Sequence, residues 1–314
     1  MSINSVDFES RVVSPSVKRN NILKKNYSLS RECFDKFETK KTSTAKKIGI
    51  ATAILATLAT IATIAITKGK AARKTKLLSQ IPKDLQVKFE KIKKLNGEDF
   101  TNRAYGEIVD YMGLKGIAPN KILFEGKGGF MGGIQGGYDP SLNTITFTKN
   151  FINANKDSQI SMLAHELTHC RQFTNMLRTE GIGVEKFVET QVKNTFENAL
   201  RNDILFKIKF ENAKKIGQES QFIKVVKETW TQQFTERINK NFADVLKLPK
   251  IKADSSEGVK AFSDLKAYES YPGLGMFGMG SDAYRNSPLE IEAYGFGDKM
   301  KDLFNKFLKA NSWL

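Results

Sequence analysis

The chain has 314 residues, 40% of them apolar and 10% aromatic with 22 Phe, enough for one large domain or two small ones and too apolar for a wholly disordered chain. The formal net charge is +16, but it is concentrated: residues 1–47 carry 11 Lys/Arg against 5 Asp/Glu, and residues 68–94 carry 10 against 2. The remainder is close to neutral and no nucleic-acid motif accompanies the basic stretches, so they read as lipid-facing and a nucleic-acid partner is excluded.

Residues 1–47 are polar and aperiodic, the composition of a basic, mostly disordered tail. Ile48–Thr67 (IGIATAILATLATIATIAIT) then runs 20 residues without a charge, long enough to cross a ~30 Å hydrocarbon core as one helix. A signal peptide would sit nearer the start and have a shorter apolar run. Arg31, Lys36, Lys40, Lys41, Lys46 and Lys47 precede the run, and Lys68, Lys70, Arg73, Lys74, Lys76 and Lys83 follow it. That balance leaves the positive-inside rule with no preferred orientation. Residues 68–81 read as a basic juxtamembrane linker, and the domain proper as 82–314.

Within 82–314, Pro82 marks a helix start, and Leu85, Phe89, Ile92 and Leu95 form its apolar stripe. A second helix runs from Glu98 to Met112 and stops at Gly113. Lys121–Glu125 is a short strand candidate, and Gly126–Gly137 a glycine-rich connection that lacks the Gly-Lys-Ser/Thr of a P-loop. A turn at Asp139–Asn143 and a strand at Thr144–Thr148 complete a hairpin, whose edge can pair with an extended peptide. Asp157 or Ser158 starts a helix that runs to about Arg178. From Val184 to Leu248 the spacing predicts two long amphipathic helices split around Gly217, an insertion with Phe187, Val192, Phe196, Leu200, Leu205 and Phe206 inward on the first and Phe222, Val226, Trp230, Phe234, Ile238 and Phe242 on the second. Residues 249–270 read as a linker with a short helix. Asn286 or Ser287 caps the last helix, with Pro288 at its first position and a stripe at Leu289, Ala293, Phe296, Met300, Leu303 and Phe307.

The chemistry is concentrated in Ser161-Met-Leu-Ala-His-Glu-Leu-Thr-His-Cys-Arg-Gln172, which holds the only two histidines of the chain. His165 and His169 lie four apart and so share one helix face, where both imidazoles can reach one metal ion. Glu166 is placed to act on a water in the metal's open position, the logic of the H-E-x-x-H motif in zinc peptidases. Two histidines at random would fall four apart in roughly 0.6% of cases, before Glu166 is even required, so chance placement is a poor account. Arg171 stands out, since many such helices are apolar there. A catalytic zinc site takes three protein ligands. With no histidine left, the third is a carboxylate or a Cys; Cys170 points about 100° away from His169 and reads as a buried, inert thiol, and Cys33 lies beyond the apolar run.

His165-Glu-Leu-Thr-His169, the upstream Tyr138-Asp-Pro140 with its strand, and the downstream Tyr284-Arg-Asn-Ser-Pro-Leu-Glu-Ile-Glu-Ala293 resemble the small gluzincin-type zinc metallopeptidases of bacteria. The resemblance spans about residues 120–180 and 280–300 and implies a zincin-like catalytic domain that hydrolyses peptide bonds. It implies a third ligand from the P-x-E-x-E-A-like segment and favours the carboxylate three before Ala, Glu290, over Glu292. The two are about 200° apart on a helix, so only one can face the metal; Glu290 shares its side with small Ala293 and Gly297, Glu292 with bulkier Phe296 and Leu303. Tyr294 stands where the family has Asp or Asn to orient a ligand histidine. Tyr271, Tyr284 and Arg285 are oxyanion stabilisers by residue type.

Together these features predict a helix-rich α+β protein with one N-terminal transmembrane helix and a short hairpin before the metal helix. It is expected to be a membrane-anchored zinc peptidase with His165, His169 and Glu290 as ligands, Glu166 as general base, a peptide or protein substrate, and anionic lipid at its basic flanks. The alternative is a non-catalytic membrane-anchored interaction protein with a structural or vestigial metal site.

Overall fold

The computed structural model describes residues 67–119, 122–125, 136–270 and 285–312. The chain divides into two units, Met1–Gly69 and Lys70–Leu314. Of the first, only residues 67–69 are described, and they are helical. The tail and all but the last residue of Ile48–Thr67 therefore lie outside the described residues; among those described, no helix is long and apolar enough to cross a membrane.

The second unit is helix-rich α+β with a small three-stranded sheet. It opens on α1 (residues 70–78), so the basic stretch expected to be a linker is helical over most of its length. Helices α2 (Lys83–Ile92) and α3 (Gly97–Tyr111) follow, with Leu85, Phe89 and Ile92 buried as their spacing requires. Gly113 ends the second with a φ of 68°, a left-handed conformation that glycine adopts without a steric penalty.

The strands β1 (Ile122–Phe124), β2 (Gly136–Asp139) and β3 (Thr144–Phe147) lie in the order β1-β3-β2. β3 is antiparallel to β2, with Asp139 opposite Thr144, and parallel to β1, with Ile122 opposite Ile145. The expected hairpin is present, but its first strand begins inside the glycine-rich stretch. A Cβ at Gly136 would overlap the Phe147 ring, so glycine is what lets β2 come this close. Asn143, with a φ of 48°, closes the turn.

After a short 3₁₀ turn (Lys149–Asn153) comes α4 (Lys156–Arg178). Its cap, Asn155, makes no side-chain hydrogen bond. Gln159 secures the entry instead: its amide donates to Ala154 O at 2.9 Å while its carbonyl accepts from Thr101 Oγ1 at 2.5 Å. The helix is buried on nearly every side, and Thr168 and Thr174 satisfy their buried hydroxyls on the carbonyls of Ala164 and Cys170 one turn back.

The insertion differs from its expected form. Four helices replace two: α5 (Gly183–Asn202), α6 (Ile204–Lys215), α7 (Glu219–Asn241) and the single turn α8 (Ala243–Leu246). The added break is at Asp203, which is extended and caps α6 by accepting from Phe206 N–H at 3.0 Å. That break resets the helical phase. Leu205, expected inward on a continuous helix, is 71% exposed, while Phe206 stacks on Trp230 with ring centroids 5.5 Å apart. Residues 249–270 hold a full 14-residue helix, α9 (Ser256–Glu269). The last helix, α10 (Pro288–Asn311), has Ser287 as cap, Pro288 in its first turn and the expected stripe buried except at Phe296, which is half-buried.

Two apolar clusters form the interior. One gathers α2, α3, the sheet, the first half of α4 (Ile160, Leu163, Leu167) and the second half of α10 (Met300, Phe304, Phe307). The other gathers the second half of α4 (Phe173, Met176, Leu177), α5, α9 and Leu289. Both histidines lie on the stretch of α4 where the clusters meet. α10 crosses α4 closely, for a Cβ at Gly297 would stand 2.7 Å from the carbonyl oxygen of Ser161. Since backbone cannot yield as a side-chain tip can, Gly297→Val should lower stability by roughly 1–3 kcal/mol. Gly295→Ala, in open space on the same helix, should instead be neutral or stabilising by about 0.5–1 kcal/mol. Thermal unfolding midpoints of the two variants check the contrast, and equal effects would contradict it.

Candidate metal centre

On α4 the helical repeat carries His165 and His169 to one face, with their Nε2 atoms 3.1 Å apart and their rings nearly perpendicular at 83°. From α10, Glu290 meets both: Oε2 is 3.3 Å from His165 Nε2, and Oε1 is 3.3 Å from His169 Nε2. The three side chains are 12%, 11% and 3% exposed, so this polar group lies almost wholly inside the fold. Glu290 occupies the first turn of α10, where its own N–H donates to Ser287 Oγ at 3.3 Å and the helix N-terminus favours negative charge.

Glu166 joins from the same helix. Its donor atoms and those of His165 and His169 all lie within 4.8 Å of one another. Its carboxylate accepts a hydrogen bond from the Tyr138 backbone N–H on β2, and a Cβ at Gly136 would lie 3.3 Å from its Oε1. Burial pushes the Glu166 carboxyl above its ordinary value, and Glu290 adds to this while both histidines pull the other way. For His169, burial disfavours the charged form, but the hydrogen bond and charge of Glu290 with the charge of Glu166 outweigh it and raise the imidazole.

The tautomer of His169 follows from its other nitrogen. Nδ1 lies 2.9 Å from Gln172 Oε1, and a carbonyl oxygen only accepts, so Nδ1 carries a proton; Nε2 donates to Glu290 when the ring is charged and turns a lone pair to the same side when the ring is neutral. The orientation of Gln172 is fixed in turn, because its amide nitrogen donates to Leu289 O at 3.2 Å and to Glu292 Oε2 at 2.7 Å. Gln172 thus does for His169 what a second carboxylate or amide commonly does for a ligating histidine. His165 Nδ1 has no hydrogen-bond partner among the described residues; the Tyr294 ring packs on it instead, centroids 4.5 Å apart.

Imidazole nitrogens with carboxylate oxygens form a donor set that a metal ion such as zinc accepts. With bonds of about 2.0–2.2 Å, tetrahedral ligand atoms sit roughly 3.3–3.6 Å apart; the separations here are 3.1 Å between the imidazoles and 3.3 Å from each to Glu290. Glu292, the competing carboxylate, faces away. It pairs with Arg171 at 2.9 Å and with Lys260 at 2.7 Å besides accepting from Gln172. The charged residue that stands out on α4 is therefore the partner of the carboxylate that does not face the histidines. Cys170 is buried, hydrogen-bonds toward Ile117 O, and its thiol is pushed up to about 12 by burial, as an inert side chain would be. Arg285 is exposed, and Tyr271 and Tyr284 lie outside the described residues.

A cavity of about 530 Å³ opens beside Glu166, His169 and Glu290. β2 forms one wall, and α5 forms another with Gln191, Asn194, Thr195 and Asn198; among the described residues no Lys or Arg lines it. Neither Gln172 nor this amide-bearing wall stands out in the sequence. Gln172 had a signal, since it lies three residues after His169 at helical spacing. The α5 wall had none, because only the tertiary fold brings it to the cavity.

Comparison with known protein families, curated proteins and solved structures gives no match.

The charged group around Glu292 generates a stability prediction. Glu292→Ala strands three donors in a half-buried place and should cost roughly 1–3 kcal/mol. Arg171→Ala should then cost at least about 0.5 kcal/mol less in the Glu292→Ala background than alone. Denaturant titration of the four proteins in this cycle measures the coupling, and strict additivity would remove the pair from the account.

Proposed function

We propose that this chain is a zinc-dependent peptidase of the gluzincin type, tethered to a bilayer by Ile48–Thr67. The observation that carries the reading is the pairing of Glu290 with both imidazoles at 3.3 Å, near enough for one metal ion to meet all three, with Glu166 beside them at an open cavity. His165, His169 and Glu290 would hold the metal. Zinc bound there would supply a Lewis acid for the substrate carbonyl and lower the pKa of a coordinated water.

The protein's own groups do the rest. Glu166 takes the proton of the attacking water and returns one to the leaving amine. Its burial, which raises the carboxyl, moves it toward the range where a carboxylate both accepts and gives back a proton near neutral pH. The Tyr138 N–H holds that carboxylate in place. β2 bonds only β3 among the described strands, so its outer edge is suited to align an extended peptide alongside the site. The uncharged hydrogen-bonding groups of α5 suit polar, uncharged side chains next to the scissile bond. Gln172 keeps the His169 lone pair aimed at the metal position.

Glu166→Gln should keep its zinc and lose about 10²–10⁴-fold in peptide turnover, since an amide cannot take the proton. His169→Ala and Glu290→Gln should both lose zinc, and Glu292→Gln should retain it. Metal analysis of the purified proteins alongside a peptide-cleavage assay reads both outcomes. Undiminished turnover in Glu166→Gln would sink the peptidase reading, and zinc loss in Glu292→Gln alone would move the ligand role. The tether has its own check: the full chain should stay with bilayers through carbonate washing, and a chain without residues 48–67 should be released. Release of both would remove the membrane segment.

A further inference from the structure

Helix α6 is apolar on two opposite faces. At 100° per residue, Phe206, Phe210 and Ala213 share one side, and Ile204, Leu205 and Ile208 share the other. The first side is occupied. Phe206 and Phe210 join Phe196, Phe222 and Trp230 in a cluster of ring contacts at 5.5–6.2 Å, which holds α5, α6 and α7 together. The second side faces outward, with Ile204 76%, Leu205 71% and Ile208 50% exposed, and Ile216 at the end of the helix 68% exposed. The aromatic cluster lies on the opposite side of α6 and leaves this outer face exposed.

The surroundings of that face select its partner. Lys207 and Lys209 stand on its two margins and Lys215 within it near the end of the helix, all exposed, while Glu211, the single acidic residue of α6, stands on the margin beside Lys207. A second copy docked by two-fold symmetry would bring these lysines against their own equivalents, which like charges oppose. An aliphatic centre with a lysine rim matches an anionic bilayer surface: side chains enter the acyl boundary while ammonium groups stay among the head groups.

We infer that the outer face of α6 docks on an anionic lipid surface through Ile204, Leu205 and Ile208, with the flanking lysines supplying charge attraction. The inference is independent of the peptidase reading and of the tether, because vesicles added to full-length protein test the face whether or not Ile48–Thr67 inserts.

The test is amide hydrogen exchange of the full-length protein with phosphatidylcholine vesicles, with and without phosphatidylglycerol. Exchange over residues 204–216 should slow about tenfold with the anionic lipid only, the scale on which docking suppresses local opening. The variant carrying Ile204→Ser, Leu205→Ser and Ile208→Ser should lose that slowing, while residues 160–176 stay as protected as in the parent and show the fold intact. Replacing Lys207, Lys209 and Lys215 by Gln should abolish the dependence on anionic lipid. Equal exchange with both vesicle types, or slowing that survives the triple variant, would overturn the inference. So would slowing without vesicles that grows with protein concentration, which would assign the face to a second copy.

Discussion

α10 can lie against α4 only because Gly297 has no side chain where Ser161 presents its carbonyl oxygen, and Ala293 has a small one. Ordinary helix pairs stay 8–10 Å apart, held off by the side chains between them. Here the contact brings the first turn of α10 beside the histidines, and a glutamate three residues into a capped helix becomes their neighbour. On the other margin of α10 the same approach brings Glu292 to Arg171, Gln172 and Lys260. The two carboxylates thus divide their roles by helix phase: Glu290 turns to the imidazoles, and Glu292 to cations and an amide.

Burying this group is costly without an occupant. Two carboxylates and two imidazoles lie between apolar clusters, where an uncompensated charge is strongly disfavoured. A divalent cation at the centre would offset that cost, and this bears on function because a fold rarely keeps such a concentration of ionisable groups for stability alone. The hydrogen bonds behind the site have the same character. Gln172 reaches the cavity through its hydrogen bonds to His169 and Leu289, and it fixes a proton on Nδ1 of His169.

The histidine pair and its intervening glutamate were legible at once, because a spacing of four on a helix is local and α4 forms as expected. That Glu290 rather than Glu292 faces the histidines was legible for a related reason: small residues on one side of a helix foretell close packing on that side, and Gly297 is where α10 meets the Ser161 backbone. The insertion was misjudged at Asp203. One extended residue there breaks the helix and turns Leu205 outward, and the aromatic periodicity on either side continues well enough to hide the break. β2 was hidden for a different reason, since its glycines read as a loop until the Phe147 ring they must accommodate is seen. The cavity wall from α5 is a product of tertiary packing, which no local pattern announces. Tyr294, expected to weaken the support of a ligand histidine, supports His165 by ring contact rather than by hydrogen bonding.

The claim on which the account rests is that one zinc ion sits among His165, His169 and Glu290. X-ray absorption of the zinc-loaded full-length protein reads the ligand atoms directly. The account predicts a single zinc per chain with only nitrogen and oxygen neighbours at about 2.0–2.2 Å, two of them imidazole. A sulfur neighbour at about 2.3 Å, or failure to bind zinc in stoichiometric amount, would contradict it.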